Sequence, residues 1–266
     1  MPYVALITGA SSGIGQATAR RLAREPDTAL ILVARRRDRL QELAQELGGA
    51  TVLALDLVSE DAPERVRQAV ESEHGALHLL VNNAGAAWRG RFADTGWANV
   101  ERHMKLNFEA PVRLTEALLP LLRRTAEAAP ARDGRRVAIV NVSSTAGRVS
   151  RPNSGAYSAS KFALAGWSDA LYAEERPHGV HVGLVLPGFI KTEGFPAAEL
   201  PKLIVSRPEV VAEAILDAGP RGRPERYVPR PYWLAAAARI LAPRIVRRSV
   251  AKGAFTTATG VTEEEE

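Results

Sequence analysis

Six largely apolar runs mark out the chain, at residues 4–7, 29–34, 51–55, 77–81, 137–142 and 180–186. Each is continuously hydrophobic and does not alternate, the pattern of a strand buried on both faces. Helical periodicity fills several of the intervals. One helix is predicted from Gly13 to about Arg24, with Ala17, Leu22 and Ala23 apolar. A second spans 36–47 and stops at Gly48-Gly49, a helix-ending signal. Two more run from about Asn107 through Leu122 and from Ser154 to about Glu175. Strands alternating with helices predict an α/β fold with a parallel sheet covered on both sides.

No repeat or long linker interrupts this order, so residues 1–255 are expected to form a single domain. Residues 125–134, with Pro130 and Gly134, are expected to be a surface loop. Residues 189–207, with Pro196 and Pro201, are expected to form a flap over the site. The small, polar and acidic residues 256–266 are expected to fray.

The first strand ends in Thr8-Gly9-Ala10-Ser11-Ser12-Gly13-Ile14-Gly15. Glycine tolerates positive φ and lets a backbone approach a pyrophosphate closely. The helix that follows offers unpaired N–H groups and a favourable dipole to an anion, and Ser11 and Ser12 add hydroxyl donors. The spacing is Gly-x-x-x-Gly-x-Gly, distinct from the common Gly-x-Gly-x-x-Gly fingerprint.

In a dinucleotide fold the second strand ends near the adenosine ribose. An acid there binds the 2′-hydroxyl, whereas an arginine accommodates a 2′-phosphate. Here the strand runs into Arg35-Arg36-Arg37, with no carboxylate before Asp38. Cations at a helix start oppose its dipole, so a bound phosphate would explain them. Asp56, after the third strand, can accept from an adenine amino group, cap the following helix, or do both.

Tyr157 and Lys161 are four residues apart and so share a helix face. A free phenol titrates near pH ~10. A neighbouring ammonium favours the phenolate, and an oxidised nicotinamide would favour it further. Such a tyrosine can exchange a proton with a carbinol oxygen. Ser144 follows the fifth strand, at the sheet edge where ligands of open α/β folds bind, and can hold the same oxygen.

These motifs resemble the short-chain dehydrogenase/reductase family. The resemblance is carried by the glycine turn, Asp56-Leu57, Asn82-Asn83-Ala84-Gly85, Asn107, Ser143-Ser144, Tyr157-x-x-x-Lys161 and Pro187-Gly188, in the family's order and over residues 3 to about 195. It implies a Rossmann-type, doubly wound sheet of seven parallel strands and an NAD(H) or NADP(H) cofactor. It implies Tyr157 as general acid/base, Lys161 on the nicotinamide ribose, Ser144 on the substrate oxygen and Asn107 holding a relay water. Asn83, Ala84 and Gly85 would line the cofactor path, and Pro187, Gly188, Ile190 and Thr192 its nicotinamide end. Gly9, Gly13, Ile14 and Gly15 would form the pyrophosphate turn. Ser12 stands where some NADP-dependent relatives carry a basic residue, so Arg35 and Arg36 would supply the phosphate site, and NADP(H) is expected over NAD(H).

The reaction implied is carbonyl–alcohol interconversion on a small hydrophobic ketone, aldehyde or alcohol, lined by Trp88, Thr145, Val149, Phe189 and Phe195. A nucleotide-sensing protein that kept the fold and lost catalysis is the alternative from another class, and it would be expected to lack Ser144, Tyr157 or Lys161. The resemblance also implies a homodimer or homotetramer.

Composition narrows the partners. The chain has 266 residues, 46% hydrophobic and 24% charged, ordinary for a globular protein. Zero cysteines exclude disulfides and thiolate metal sites, and no metal site is expected. No signal peptide is read, and the protein is expected to be cytoplasmic. The net charge of +5 is a C-terminal feature: residues 221–252 hold nine Lys/Arg and one acid, Glu225. No nucleic-acid motif accompanies it. Within it, residues 229–252 read as a basic helical segment broken at Pro243, with Tyr232 and Trp233 at its start. It is expected to be a lid, a subunit-contact arm or a peripheral membrane contact.

Overall fold

The computed structural model describes residues 2–128, 134–193 and 205–252. Seven parallel strands form the main sheet, in the order β3-β2-β1-β4-β5-β6-β9. They are β1 (Tyr3–Thr8), β2 (Thr28–Ala34), β3 (Thr51–Ala54), β4 (Leu79–Asn82), β5 (Ala138–Val142), β6 (His181–Pro187) and β9 (Glu225–Val228). The short strands β7 (Phe189–Ile190) and β8 (Val205–Ser206) pair separately. Nine helices accompany them among the described residues: α1 (Gly13–Leu22), α2 (Arg37–Glu46), α3 (Ala62–His74), α4 (Phe92–Met104), α5 (Ala110–Ala128), α6 (Gly155–Glu175), α7 (Pro208–Ala218), α8 (Trp233–Leu241) and α9 (Pro243–Ala251).

Why the strands are apolar throughout is plain from their two faces. Successive side chains of a strand point to opposite sides. Tyr3, Ala5 and Ile7 of β1 join a core with Leu22 of α1, Leu40 and Leu43 of α2, and Ile215 of α7. Val4 and Leu6 join another with Val66 and Val70 of α3, Leu114 and Leu118 of α5, and Leu171 of α6. Close packing on the first face depends on Gly183 in β6, where a Cβ would collide with the carbonyl oxygen of Ala218 in α7.

Several boundaries differ from the sequence expectation. The fifth helix continues through Ala128, so residues 125–128 are helix and not loop. Buried Thr125 explains this: its hydroxyl donates to Leu121 O at 2.8 Å and accepts from Leu77 N at 3.2 Å, tying the helix to the start of the fourth strand. Asn107 does not start that helix; it sits in a π-type turn, Lys105–Glu109, that joins α4 to α5. The helices α3 and α4 and the edge strand β9 are further elements. The flap expected at 189–207 is described only at its ends, where β7 and β8 pair; Phe195, Pro196, Pro201 and the tail 256–266 lie outside the described residues. No helix among the described residues is long and apolar enough to cross a membrane.

All seven strands end at one edge. The chain winds outward in both directions from the β1/β4 boundary, the topological switch point where open α/β sheets bind ligands.

Candidate active site

At this edge β1 turns through Gly9 and Gly13, both with positive φ, at +66° and +52°. A Cβ on Gly9 would stand 2.9 Å from Ala84 Cα and from Asn83 Nδ2, and one on Gly15 would collide with the Gly9 carbonyl. The turn is therefore compact because it lacks side chains. Thr8 locks it to the end of β4: its hydroxyl accepts from Asn83 N at 2.9 Å and Ala84 N at 3.0 Å, while Asn83 Nδ2 donates to Thr8 O at 2.9 Å. Ser12 is the N-cap residue of α1 and its side chain makes no capping bond. Ile14 packs against the core, and its carbonyl accepts from Thr18 Oγ1 at 2.8 Å. Thr192 approaches from the β6 side, its Cγ2 lying 3.1 Å from where a Gly13 Cβ would be.

The arginines separate in role. Arg36 lies on the glycine turn, donating to Ser11 Oγ from Nη2 at 3.1 Å and from Nε at 3.3 Å. It is also 3.8 Å from Glu193, which Arg39 holds with bonds of 2.5 and 2.9 Å. Those cations lower the Glu193 carboxyl below its usual range, chiefly through the Arg39 hydrogen bond. Arg35 is exposed. Asp56 is exposed too and accepts from Val58 N at 3.1 Å, a local turn; the residue at the start of α3 is Asp61, so Asp56 does not cap that helix. Leu57 is buried beside it. Arg39 and Glu193 were not singled out from sequence; only the position of Arg39, one turn after Arg36, signalled it.

The proton-transfer groups converge from β5, α6 and the π-type turn. Ser144 accepts from Ala146 N at 3.1 Å and donates to Pro187 O at 3.3 Å, and it lies close enough to Tyr157 to favour the ionised phenol. Buried Lys161 donates from Nζ to Val142 O at 2.9 Å. Asn107 is fully buried: Nδ2 donates to Ala86 O at 3.0 Å and Ser160 Oγ at 3.1 Å, and Oδ1 accepts from Ala86 N at 3.0 Å. Its amide thus fixes the loop at 85–88 beside Lys161. Gly85 makes room there, since a Cβ would come 2.8 Å from Asn107 Oδ1 and 3.4 Å from Lys161 Nζ. Gly188 is covered by the Tyr232 ring, with which a Cβ would collide, and Ile190 is buried nearby in sequence.

The electrostatics correct one expectation. Tyr157 was expected to titrate low because of Lys161. Burial instead raises the phenol, opposed by Ser144, Arg89 and Arg151; Lys161 is not among the groups that set this shift. Desolvation moves Lys161 itself down to about 8. The i, i+4 spacing registers neighbours and carries no information on burial, which here is the larger effect.

Aromatic and cationic groups missed from sequence surround the phenol. His103 lies edge-on to Tyr157 at 6.1 Å and to Trp88 at 5.0 Å, and its Nε2 accepts from Trp88 N at 3.0 Å. Arg151 stacks over Phe189 at 4.7 Å. These contacts join segments far apart in the chain, so no local pattern announced them.

Sheet order, glycine turn and the Ser144–Tyr157–Lys161 cluster define a nucleotide-dependent oxidoreductase. The family model described as short chain dehydrogenase matches residues 3–200. Dehydrogenase/reductase SDR family member 7B of Xenopus laevis is 32% identical over 284 residues, covering 95% of this chain and 85% of that protein. A 3-ketodihydrosphingosine reductase of Bacteroides thetaiotaomicron is 36% identical over 194 residues, covering 72% and 65%. The chain spans 61% of the length of the member 7B protein of Danio rerio. An alcohol dehydrogenase from the archaeon Thermococcus sibiricus, solved in complex with 5-hydroxy-NADP, superposes with a TM-score of 0.73 at 28% identity, covering 85% of this chain and 95% of that one. The chain belongs to the short-chain dehydrogenase family of NAD(P)-dependent oxidoreductases.

The Lys161 shift has a measurable sign. Its folded value, about 8, lies below the ordinary 10.5, so the folded chain releases this proton before the unfolded chain does. Stability from this group is then lowest below pH 8 and rises between about 8 and 10. Urea unfolding of the cofactor-free protein across this window is expected to show that rise in wild type and a flatter profile in Lys161→Met. Equal slopes would contradict the burial of a charged ammonium.

Proposed function

We propose that this protein is an NADP(H)-dependent reductase of a hydrophobic ketone or aldehyde, with Tyr157 as general acid/base. The observation that carries this reading is the convergence of Ser144, Tyr157 and Lys161 beside a glycine turn whose floor leaves no room for side chains. The residues fit a dinucleotide: the positive-φ glycines and the start of α1 would hold the pyrophosphate, and Gly85 and Gly188 would line the nicotinamide end. When bound, the nicotinamide supplies the hydride.

The chain's own groups handle the proton. Ser144 and Tyr157 would both hydrogen-bond the substrate oxygen, and the Tyr157 hydroxyl would deliver its proton to that oxygen as negative charge develops there. Lys161 uses one donor on Val142 O, which aims the ammonium. Its other donors suit the ribose hydroxyls. Trp88, Phe189 and Tyr232 would offer an apolar wall to a hydrophobic substrate, a reading supported by the name 3-ketodihydrosphingosine reductase of the Bacteroides relative. Arg89 and Arg151 oppose the burial penalty on the phenol. A silent nucleotide-binding protein is disfavoured by the complete catalytic cluster.

Replacing Tyr157 by Phe removes only the hydroxyl. Turnover with NADPH and a ketone panel is expected to fall about 10²–10⁴-fold, while NADPH binding, followed by fluorescence titration, stays near wild type. Turnover close to wild type would remove Tyr157 from the mechanism.

NADP(H) choice rests on Arg36, seated on Ser11, with Arg35 beside it in sequence; the NADP analogue bound by the Thermococcus relative supports it. kcat/KM is expected to favour NADPH over NADH. A charged hydrogen bond contributes about 1.5–3 kcal/mol, so Arg36→Asp should cost NADPH roughly 10- to 100-fold, and more than Arg35→Asp does. A wild-type preference for NADH would refute the assignment.

A further inference from the structure

The C-terminal helices leave an apolar surface uncovered. Of α8 only Ala236 is buried, and of α9 nothing is. Ile240 is 77% exposed, Leu241 84% and Ile245 66%, with Trp233 and Leu234 also exposed. A scattered exposed leucine is normal; a contiguous group on two successive helices marks an interaction surface.

The charge pattern says what kind. At 100° per residue, Arg244, Arg247 and Arg248 fall on one face of α9, while Ile245, Val246 and Val250 fall on the other. Arg239 and Lys252 extend the basic set, and no acid lies between Arg226 and Lys252. None of these five cations forms an ion pair among the described residues. Two copies meeting through this face would bring like charges together, whereas an anionic surface is complementary to it. A helix with basic residues on one side and apolar residues on the other, as α9 has, is suited to a lipid interface, and the exposed Trp233, Leu234, Ile240 and Leu241 of α8 extend its apolar side.

The surface is also tied to the site. Immediately before α8, the Tyr232 ring covers Gly188 at the end of β6. A membrane held by α8 and α9 would therefore lie near the entrance that a hydrophobic substrate must use.

We propose that α8 and α9 dock the protein peripherally on an anionic lipid surface, with Trp233, Leu234, Ile240, Leu241 and Ile245 inserted and Arg239, Arg244, Arg247, Arg248 and Lys252 at the headgroups. The docking needs neither cofactor nor substrate, so its test is independent of the reductase reading.

The full chain is sedimented with phosphatidylcholine vesicles and with mixed phosphatidylcholine–phosphatidylserine vesicles, at low and high salt. Binding is expected only to the mixed vesicles and should weaken with salt. Each basic residue near an anionic surface contributes about 1 kcal/mol, so Arg244→Gln, Arg247→Gln and Arg248→Gln together should weaken binding on the order of 100-fold. Ile240→Ser with Leu241→Ser should also weaken it, without the loss of salt sensitivity seen in the arginine variant. Thermal melting confirms that both variants fold. A full chain that ignores mixed vesicles overturns the proposal, as does binding that both variants retain. If the chain ignores vesicles and the serine variant lowers the mass in solution, the face is a subunit contact.

Discussion

One ammonium group, placed where water is scarce, constrains everything around it. Lys161 is 5% exposed and keeps a hydrogen bond to the last carbonyl of β5. Burying a charge is costly unless partners satisfy it, and the neighbourhood is shaped to that end. Gly85 has no side chain because a Cβ would stand 2.8 Å from Asn107 Oδ1, with Lys161 Nζ in contact at 3.4 Å. Gly147 is bare for a related reason: a Cβ there would stand 2.7 Å from the Lys161 carbonyl and 2.8 Å from Ser143 Oγ. Ser143 in turn donates to Lys161 O at 2.8 Å, closing the turn after β5 against α6. Sheet edge, helix and loop thus meet at a single residue, and Ser144 and Tyr157 are positioned by the same closure.

Much of this was legible in the chain because the physics is local. Continuous apolar runs identify strands that bury both faces, and the glycines after Thr8 mark a turn without room for side chains. The motif spacing placed Ser144, Tyr157 and Lys161 at one sheet edge. What stayed hidden depends on distant contacts. The edge strand β9, Glu225-Arg226-Tyr227-Val228, has charged residues and pairs on one side only, so it lacks the apolar signature of the central strands. The kink at Gly96 divides α4 and blurs its periodicity. Arg89, Arg151 and His103 reach Tyr157 only in the folded chain. The sign of the phenol's shift was misjudged for the same reason: proximity of a lysine is visible in sequence, burial of the hydroxyl is not.

The cofactor end and the C-terminal end of the site follow different logics. At the first, Arg36 and Arg39 concentrate positive charge where the second strand ends, and Glu193 pairs with them. At the second, Tyr232 covers Gly188, and the helices after it carry an exposed apolar surface. Under the proposed reading, selection of cofactor and access of substrate would be handled at different places along one sheet edge.

Burial raises the Tyr157 phenol, and the positive charge of an oxidised nicotinamide would oppose that shift. Difference absorbance of the phenolate, wild type minus Tyr157→Phe, titrated with and without saturating NADP⁺, reads this directly. The Tyr157 ionisation is expected to lie above the ordinary phenol value without cofactor and to fall when NADP⁺ binds. An ionisation already below that value in the free protein, or one that NADP⁺ does not move, would contradict it.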